Sequence, residues 1–420
     1  MRICFLSRRY FPAVSGMSVY ARNMTKALTD RGHKIVMISQ YREDEKGVGI
    51  YGGGPPPSEH WMKVHGLRSF GEELANEETP ADFEKDLRAM IATAEKHHAE
   101  QPFDIVHAQY CYPTGLAALE LSKRWNVPNV VSIQGGDGHW LGLCCSTHKK
   151  AMDAVLHHAT ALIIGCTSFA KEVSENHGIP QGNFTIIPGA TNTQQFKPAN
   201  ALGNIEKPVR LLYHGRVDQR KGVLDFIEAG KILLDENIDI KLIISGIGPD
   251  LEAAKNRSKS LKIDHKTEFL GMVSYKNAPE VYAKGDIFVS PTYAEGFSNT
   301  ILEAMSSGLP IVSTDSVGVR DCLTHNENAL LTEPGAISAL AEALKELISN
   351  EKLRRRLAEK AMEEVETKYS WPVVAEQLEA VYHKISKEEI DTGWRSIYNM
   401  SNSLADADLS CRFRKDPHLL

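Results

Sequence analysis

Short apolar runs alternate with longer stretches of helical periodicity from one end of the chain to the other. Residues 3–7 predict a first strand. Residues 16–31 follow with Tyr20, Met24, Ala27 and Leu28 on one helical face, and Gly32 stops that helix. Further strands are predicted over 34–39, 103–108, 129–133, 161–166 and 184–187. Strand and helix in alternation are the mark of a parallel sheet built from strand-helix-strand units. Gly52-Gly53-Gly54-Pro55-Pro56-Pro57 can be neither helix nor central strand and marks a surface loop.

The pattern pauses over 188–208, where Thr191-Asn192-Thr193-Gln194-Gln195 and Lys197-Pro198 read as a linker. It then restarts, with strands predicted over 209–213, 240–245, 267–270, 287–290, 311–314 and 329–331, and helices over 223–235, 299–307 and 336–349. Each half reads as an open, doubly wound, Rossmann-like α/β sheet, whose ligand sites lie at the carboxyl ends of the strands. Two such sheets facing each other enclose a cleft. The expected domains are 1–200 and 207–370. Residues 351–381 are strongly helical, with Trp371-Pro372 breaking them in two. Beyond about 387 periodicity is lost, and the tail 387–420 is expected to be a loosely ordered terminus despite Trp394, Tyr398 and Phe413.

Composition narrows the class. A chain of 420 residues suits two or three domains, and 42% hydrophobic with 24% charged residues is the balance of a globular protein. Lys and Arg number 48 against 54 Asp and Glu, a net charge of −6, which argues against nucleic-acid binding. Seven scattered cysteines do not make a disulfide framework and fit a reducing compartment. The first residues lack a signal-peptide core, and no 18-residue apolar run could span a bilayer. A cytoplasmic location is expected, with peripheral membrane contact left open.

The strongest chemical signal is Tyr293-Ala294-Glu295-Gly296-Phe297-Ser298-Asn299-Thr300-Ile301-Leu302-Glu303. A strand ends, a glycine turn follows, and a helix begins near Ser298. Unpaired N–H groups and the helix dipole at such a start favour a phosphate. Glu295 lies in the turn and Glu303 on the helix, so the two carboxylates can meet different hydroxyl-bearing parts of one ligand. The second signal is His214-Gly215-Arg216-Val217-Asp218-Gln219-Arg220-Lys221-Gly222, directly after a predicted strand. Arg binds two phosphate oxygens at once and Lys supplies a point charge, the parts of a pyrophosphate clamp.

With Gly215-Arg216, Lys221-Gly222 and the Glu295/Glu303 block continuing into Ala304-Met305-Ser306-Ser307-Gly308-Leu309-Pro310, the chain resembles the retaining glycosyltransferases of the GT-B fold, family four. The likeness runs from Met1 to about Ile385. It implies a hexose-type sugar moved from a UDP- or GDP-sugar to an acceptor hydroxyl, with no other cofactor and no metal. Arg216 and Lys221 would hold the donor diphosphate, Glu303 the ribose hydroxyls, and Glu295 would lie beside the transferred sugar. Gly296, Phe297, Ser298, Asn299 and Thr300 would contact sugar and phosphate, and Val273 of Gly271-Met272-Val273 would lie near the base. The first half would hold the acceptor, with a helix at about 371–386 crossing back to it.

The resemblance has departures. Many members carry two glycines where this chain has Ser15-Gly16, and the Gly16 backbone is expected to approach phosphate or acceptor. A His or Arg is usual at Gln134; here Asp137 and His139, in Gln134-Gly135-Gly136-Asp137-Gly138-His139, are the candidates to position sugar or acceptor. His139, Cys144, Cys145 and His148 invite a zinc reading. Adjacent cysteines are poor ligand spacing, however, and no second Cys/His pair follows, so no metal is expected. Ser245-Gly246-Ile247-Gly248-Pro249 lacks the third glycine of a dinucleotide fingerprint, against an oxidoreductase. A nucleotide-sugar epimerase and a non-catalytic nucleotide-sugar-binding protein stay as alternatives. Glycan, small-molecule and lipid acceptors all suit the sequence.

Overall fold

The structure, a computed structural model, describes residues 1–73, 81–396 and 411–415. The chain divides into two compact units, Met1–Pro188 with Ala375–Leu420, and Gly189–Val374. The first holds seven strands: β1 (Arg2–Ser7), β2 (Lys34–Tyr41), β3 (Lys63–Arg68), β4 (Ile105–Gln109), β5 (Asn129–Ile133), β6 (Ala161–Ile164) and β7 (Phe184–Ile186), in the order β3-β2-β1-β4-β5-β6-β7. The second holds six: β8 (Val209–His214), β9 (Ile240–Ser245), β10 (Thr267–Gly271), β11 (Ile287–Ser290), β12 (Ile311–Thr314) and β13 (Leu330–Thr332), in the order β10-β9-β8-β11-β12-β13. Every pairing is parallel.

Every residue of β4, β5, β11 and β12 is buried, which is why these strands read as short, mostly apolar runs and not as alternation of apolar with exposed polar positions. The sequence pattern predicts no strand at β3. It sits at the sheet edge, where its residues are exposed or only half-buried, so burial imposes no apolar run. Each sheet reverses its order once, between β1 and β4 and between β8 and β11. Connections leave such a point toward opposite faces and open a crevice at the carboxyl ends of the two strands.

The helix Glu351–Lys368 ends before Ser370, and a second helix, Trp371–Ile385, follows. The boundary between the units falls inside this second helix, after Val374. Its later turns are tied to the first sheet through a buried polar chain. His107 of β4 meets the Tyr382 hydroxyl at 2.5 Å through Nδ1 and the Ser132 hydroxyl at 2.6 Å through Nε2. Burial lowers the His107 pKa to about 3, so the ring is neutral and donates from one nitrogen while accepting at the other.

The tail departs from expectation. Tyr398 lies outside the described residues, but Trp394, Phe413 and Arg414 are buried against the first unit, so these parts of the tail are docked. Arg414 donates to the two Glu84 carboxylate oxygens at 2.6 and 3.1 Å and to the Ala81 carbonyl at 2.9 Å; the Ala81 N–H donates back to the Arg414 carbonyl at 2.8 Å. Burial alone would raise the Glu84 carboxyl, and Arg414 outweighs it and holds the group below its ordinary value. One buried ion pair fixes the segment without any apolar period. Arg414→Ala strands the Glu84 carboxylate, and the expected loss is about 3–5 kcal/mol in urea unfolding. A loss below about 1 kcal/mol contradicts the docking.

Candidate active site

The chemistry-bearing loops of the second unit follow β8 and β11, the two strands at its reversal point. After β8 the chain turns through Gly215 into Arg216, whose carbonyl accepts from the Tyr213 hydroxyl at 2.6 Å. Asp218 organises the basic residues. Its carboxylate accepts from the Arg220 N–H and guanidinium and lies 3.4 Å from Arg216 Nε. Burial pushes the Asp218 pKa up, and the Arg220 hydrogen bonds more than reverse this, so it stays ionised below the usual carboxylate range. Lys221 reaches across to the other loop, donating to the Ala294 carbonyl at 2.9 Å and pairing with Glu295 at 2.8 Å. The Tyr293 N–H donates to the Arg220 carbonyl at 3.0 Å, a second tie between the loops.

Two glycines make this approach sterically feasible. Gly222 has φ +73°, and a Cβ there would stand 2.0 Å from the Pro291 carbonyl oxygen. Gly318, at φ +79° in the loop after β12, would place a Cβ 2.1 Å from the Glu295 carbonyl oxygen, and the Glu295 N–H donates to the Val317 carbonyl at 2.9 Å. Glu295 is therefore held from both sides. The helix Asn299–Ser306 starts just beyond, with Ser298 at its cap. Its first-turn N–H groups have no acceptor within the helix, and its dipole favours an anion. The Ser298 and Thr300 hydroxyls lie 3.2 Å apart, and Phe297 packs on Tyr369.

Glu303 is buried in this helix and accepts from the Tyr282 hydroxyl at 2.6 Å. That hydrogen bond favours the carboxylate, but desolvation dominates and raises the pKa to about 7. Beside it His214 packs edge-on to Tyr282 and is kept neutral by burial, with a pKa of about 4. Val273 lies just past the carboxyl end of β10, half-buried next to exposed Met272.

In the first unit the corresponding point lies between β1 and β4. Ser15 and Ser18 form a reciprocal capping box for the helix Gly16–Asp30, Ser15 N–H to Ser18 Oγ at 2.8 Å and Ser18 N–H to Ser15 Oγ at 3.2 Å. That is what a serine accomplishes where a second glycine was expected, and it leaves Gly16 at the first helical position. Gln109, at the end of β4, links three elements: it accepts from Ser7 at 2.7 Å and donates to the Met17 carbonyl at 2.8 Å and to Gln134 at 2.7 Å.

Asp137 is bound by the backbone around it. It is fully buried, and its oxygens accept the backbone N–H groups of Cys111, Gln134 and Gly135 at 2.9–3.1 Å. It fixes the loop after β5. His139 is also buried, with Nδ1 2.8 Å from Glu172 and its ring against Phe169. Tyr282, Gly318 and Gln109 were not singled out by sequence reasoning, because each acts through a contact distant in sequence; Asp218 was read only as part of the basic loop, although its partners Arg216 and Arg220 are two residues away. Of the four residues His139, Cys144, Cys145 and His148, the last three come together with Cys411 from the tail in a group whose four ligand atoms lie within 4.8 Å of one another, and His139 is not among them.

Comparison with known proteins agrees with this geometry. Residues 195–364 match the family model for glycosyl transferases group 1, and residues 15–190 match the glycosyl transferase 4-like domain. The chain belongs to the group 1 glycosyltransferases. An uncharacterised glycosyltransferase of Methanocaldococcus jannaschii is 24% identical over 92% of this chain and 99% of its own. Among solved structures, a sucrose-phosphate synthase of Thermosynechococcus elongatus superposes with a TM-score of 0.75 at 19% identity, over 92% of this chain and 99% of that one. HepE of Anabaena, in complex with UDP and glucose, gives 0.71 at 16% identity, over 91% and 99%. Both share the GT-B fold of two Rossmann-like domains. Among the described residues of this glycosyltransferase, no helix is long and apolar enough to cross a membrane.

Glu303 gives this glycosyltransferase a measurable signature. A carboxyl that ionises less readily folded than unfolded makes the folded state bind more protons. Stability therefore falls as pH rises from the ordinary value of 4.5 to about 7, and the loss is complete above that. Glu303→Gln keeps an acceptor for Tyr282 and removes the ionisation. In urea unfolding the variant should gain about 3 kcal/mol on the wild type well above pH 7 and almost nothing below pH 4.5. Equal stabilities at both pH values would show that Glu303 is not desolvated.

Proposed function

We propose that the protein transfers a hexose from a nucleoside diphosphate sugar to an acceptor hydroxyl with retention of anomeric configuration. The observation that carries this reading is the Lys221–Glu295 pair, which joins two loops at the carboxyl ends of β8 and β11 beside the start of the helix Asn299–Ser306. Arg216, Lys221 and the N–H groups at that helix start meet the charge of the donor diphosphate, with Gly296, Phe297, Ser298, Asn299 and Thr300 lining the path from sugar to phosphate. Glu303 accepts the ribose hydroxyls, Glu295 faces the transferred sugar, and Val273 borders the base. UDP is the preferred nucleotide, supported by its presence in the Anabaena neighbour, with GDP the alternative. The acceptor belongs to the first unit, near Gly16 and the loop that carries His139, and His139 acts as a positioning residue there. Seven free cysteines favour a reducing compartment such as the cytoplasm.

Retention follows from a front-face reaction in which no protein nucleophile takes part. The bond from the anomeric carbon to the diphosphate oxygen breaks, and the bond to the acceptor oxygen forms on the same face. The acceptor proton passes to the departing diphosphate. Catalysis comes from stabilising the leaving charge and holding both substrates in place. Donor chemistry on Arg216 and Lys221 favours transfer over epimerisation, which would release an epimer of the donor sugar without any acceptor.

The test is turnover of UDP-glucose and GDP-mannose against an acceptor panel, with the anomeric proton of the product read by NMR. An α-configured donor should give an α-linked product, and Arg216→Ala should lower kcat/KM about 30- to 1000-fold, equivalent to about 2–4 kcal/mol. A β-linked product overturns retention. Near-normal turnover by Arg216→Ala overturns the clamp.

A further inference from the structure

The loop after β5 runs through Gln134, Asp137 and His139 to Cys144 and Cys145, and then enters the helix Ser146–His158. Cys145 is the cap of that helix. Its sulfur accepts the His148 N–H at 3.4 Å. One turn in, the His148 side chain comes back toward the same end. Its Nδ1 lies 3.2 Å from Cys144 Sγ and 3.5 Å from Cys411 Sγ. His148 and Cys411 are buried, Cys144 and Cys145 half-buried, and all four ligand atoms fall within 4.8 Å of one another.

We propose that Cys144, Cys145, His148 and Cys411 form a structural zinc site that pins the C-terminal tail to the first unit. A tetrahedral zinc with Zn–S about 2.3 Å and Zn–N about 2.0–2.1 Å has S···S edges of about 3.8 Å and S···N edges of about 3.5 Å. The two His148 Nδ1–sulfur separations, 3.2 and 3.5 Å, lie at or just inside that S···N edge, and the 4.8 Å that bounds all four atoms exceeds the longest edge by about 1 Å, within the reach of side-chain adjustment. Three soft sulfurs and one imidazole select zinc over oxygen-preferring cations such as magnesium or calcium. Four protein ligands leave no open position, so the ion is structural and takes no part in sugar transfer. On binding, the thiols release their protons to solvent and the His148 proton resides on Nε2, the ring being walled by Tyr112, Phe83 and Phe413.

The site has two consequences for the chain. It adds a metal clasp to the Arg414–Glu84 pair, so both Cys411 and Arg414 anchor the same short helix, Arg412–Lys415. It also anchors the far end of the loop whose near end is fixed by Asp137. His139, between those anchors, is held without belonging to the site itself.

The test is metal analysis of the full-length protein purified under reducing conditions without added metal, followed by cobalt substitution. The expected result is about one zinc per chain and, with cobalt, thiolate charge-transfer absorption together with the visible bands of a tetrahedral ion. Cys411→Ser and Cys145→Ser should each lose the stoichiometry and the spectrum. A chelator should lower the Tm of the wild type and leave that of Cys411→Ser unchanged. If a serine variant fails to fold, the wild-type cobalt spectrum decides alone. Absence of zinc with no cobalt spectrum on reconstitution overturns the proposal. So does a disulfide between Cys411 and either Cys144 or Cys145, found by counting thiols in protein taken directly from reducing cells.

Discussion

Backbone contact between the loops after β8 and β11 is the constraint on which the chemistry of the second unit depends. Gly222 leaves room for the Pro291 carbonyl where any side chain would collide with it. With the loops this close, the Lys221 ammonium reaches the Ala294 carbonyl and the Glu295 carboxylate together. Gly318 closes on Glu295 from the other side. A cation, a carboxylate and a helix start are thereby set beside one another before any ligand arrives. Such preorganisation lets charged groups stabilise a leaving diphosphate without the reorganisation that water would need.

The first unit is organised by a different means. Its loops are fixed by buried polar groups that bind backbone: Asp137 takes three N–H groups, Gln109 bridges β1, the helix Gly16–Asp30 and Gln134, and His107 ties the helix Trp371–Ile385 to β4 and β5. Each of these groups is satisfied internally, and burial without such partners would be costly. These contacts fix the start of the loop that carries His139. The docked tail extends the same scheme, with an ion pair and a cluster of sulfur and imidazole ligands in place of a continuous apolar face.

Most of the fold was legible because parallel strands covered on both faces are mostly apolar along their length. β5, β9, β11 and β12 coincide with their predicted spans. β3 was not legible, since an edge strand with exposed residues carries no such signal. The loops after β8 and β11 were legible for a related reason: their glycines, cations and helix start lie close together in sequence, directly after predicted strands. Tyr282 on Glu303, Gly318 on Glu295 and Cys411 on His148 could not be read from spacing, because only the folded chain brings them together. Asp137 shows the converse. Its position beside glycines at a strand end looked functional, and its oxygens proved to be consumed by backbone.

The central claim is that Lys221 meets the phosphates of a nucleoside diphosphate at the crossing of the two loops. The direct measurement is calorimetric titration of UDP into the wild type and into Lys221→Met, which keeps the length of the side chain and removes its charge. The account predicts a UDP affinity lower by about 10- to 100-fold in the variant, equivalent to about 1.4–2.8 kcal/mol, and a smaller loss for uridine, which lacks the phosphates. Equal affinity of both proteins for UDP would contradict it.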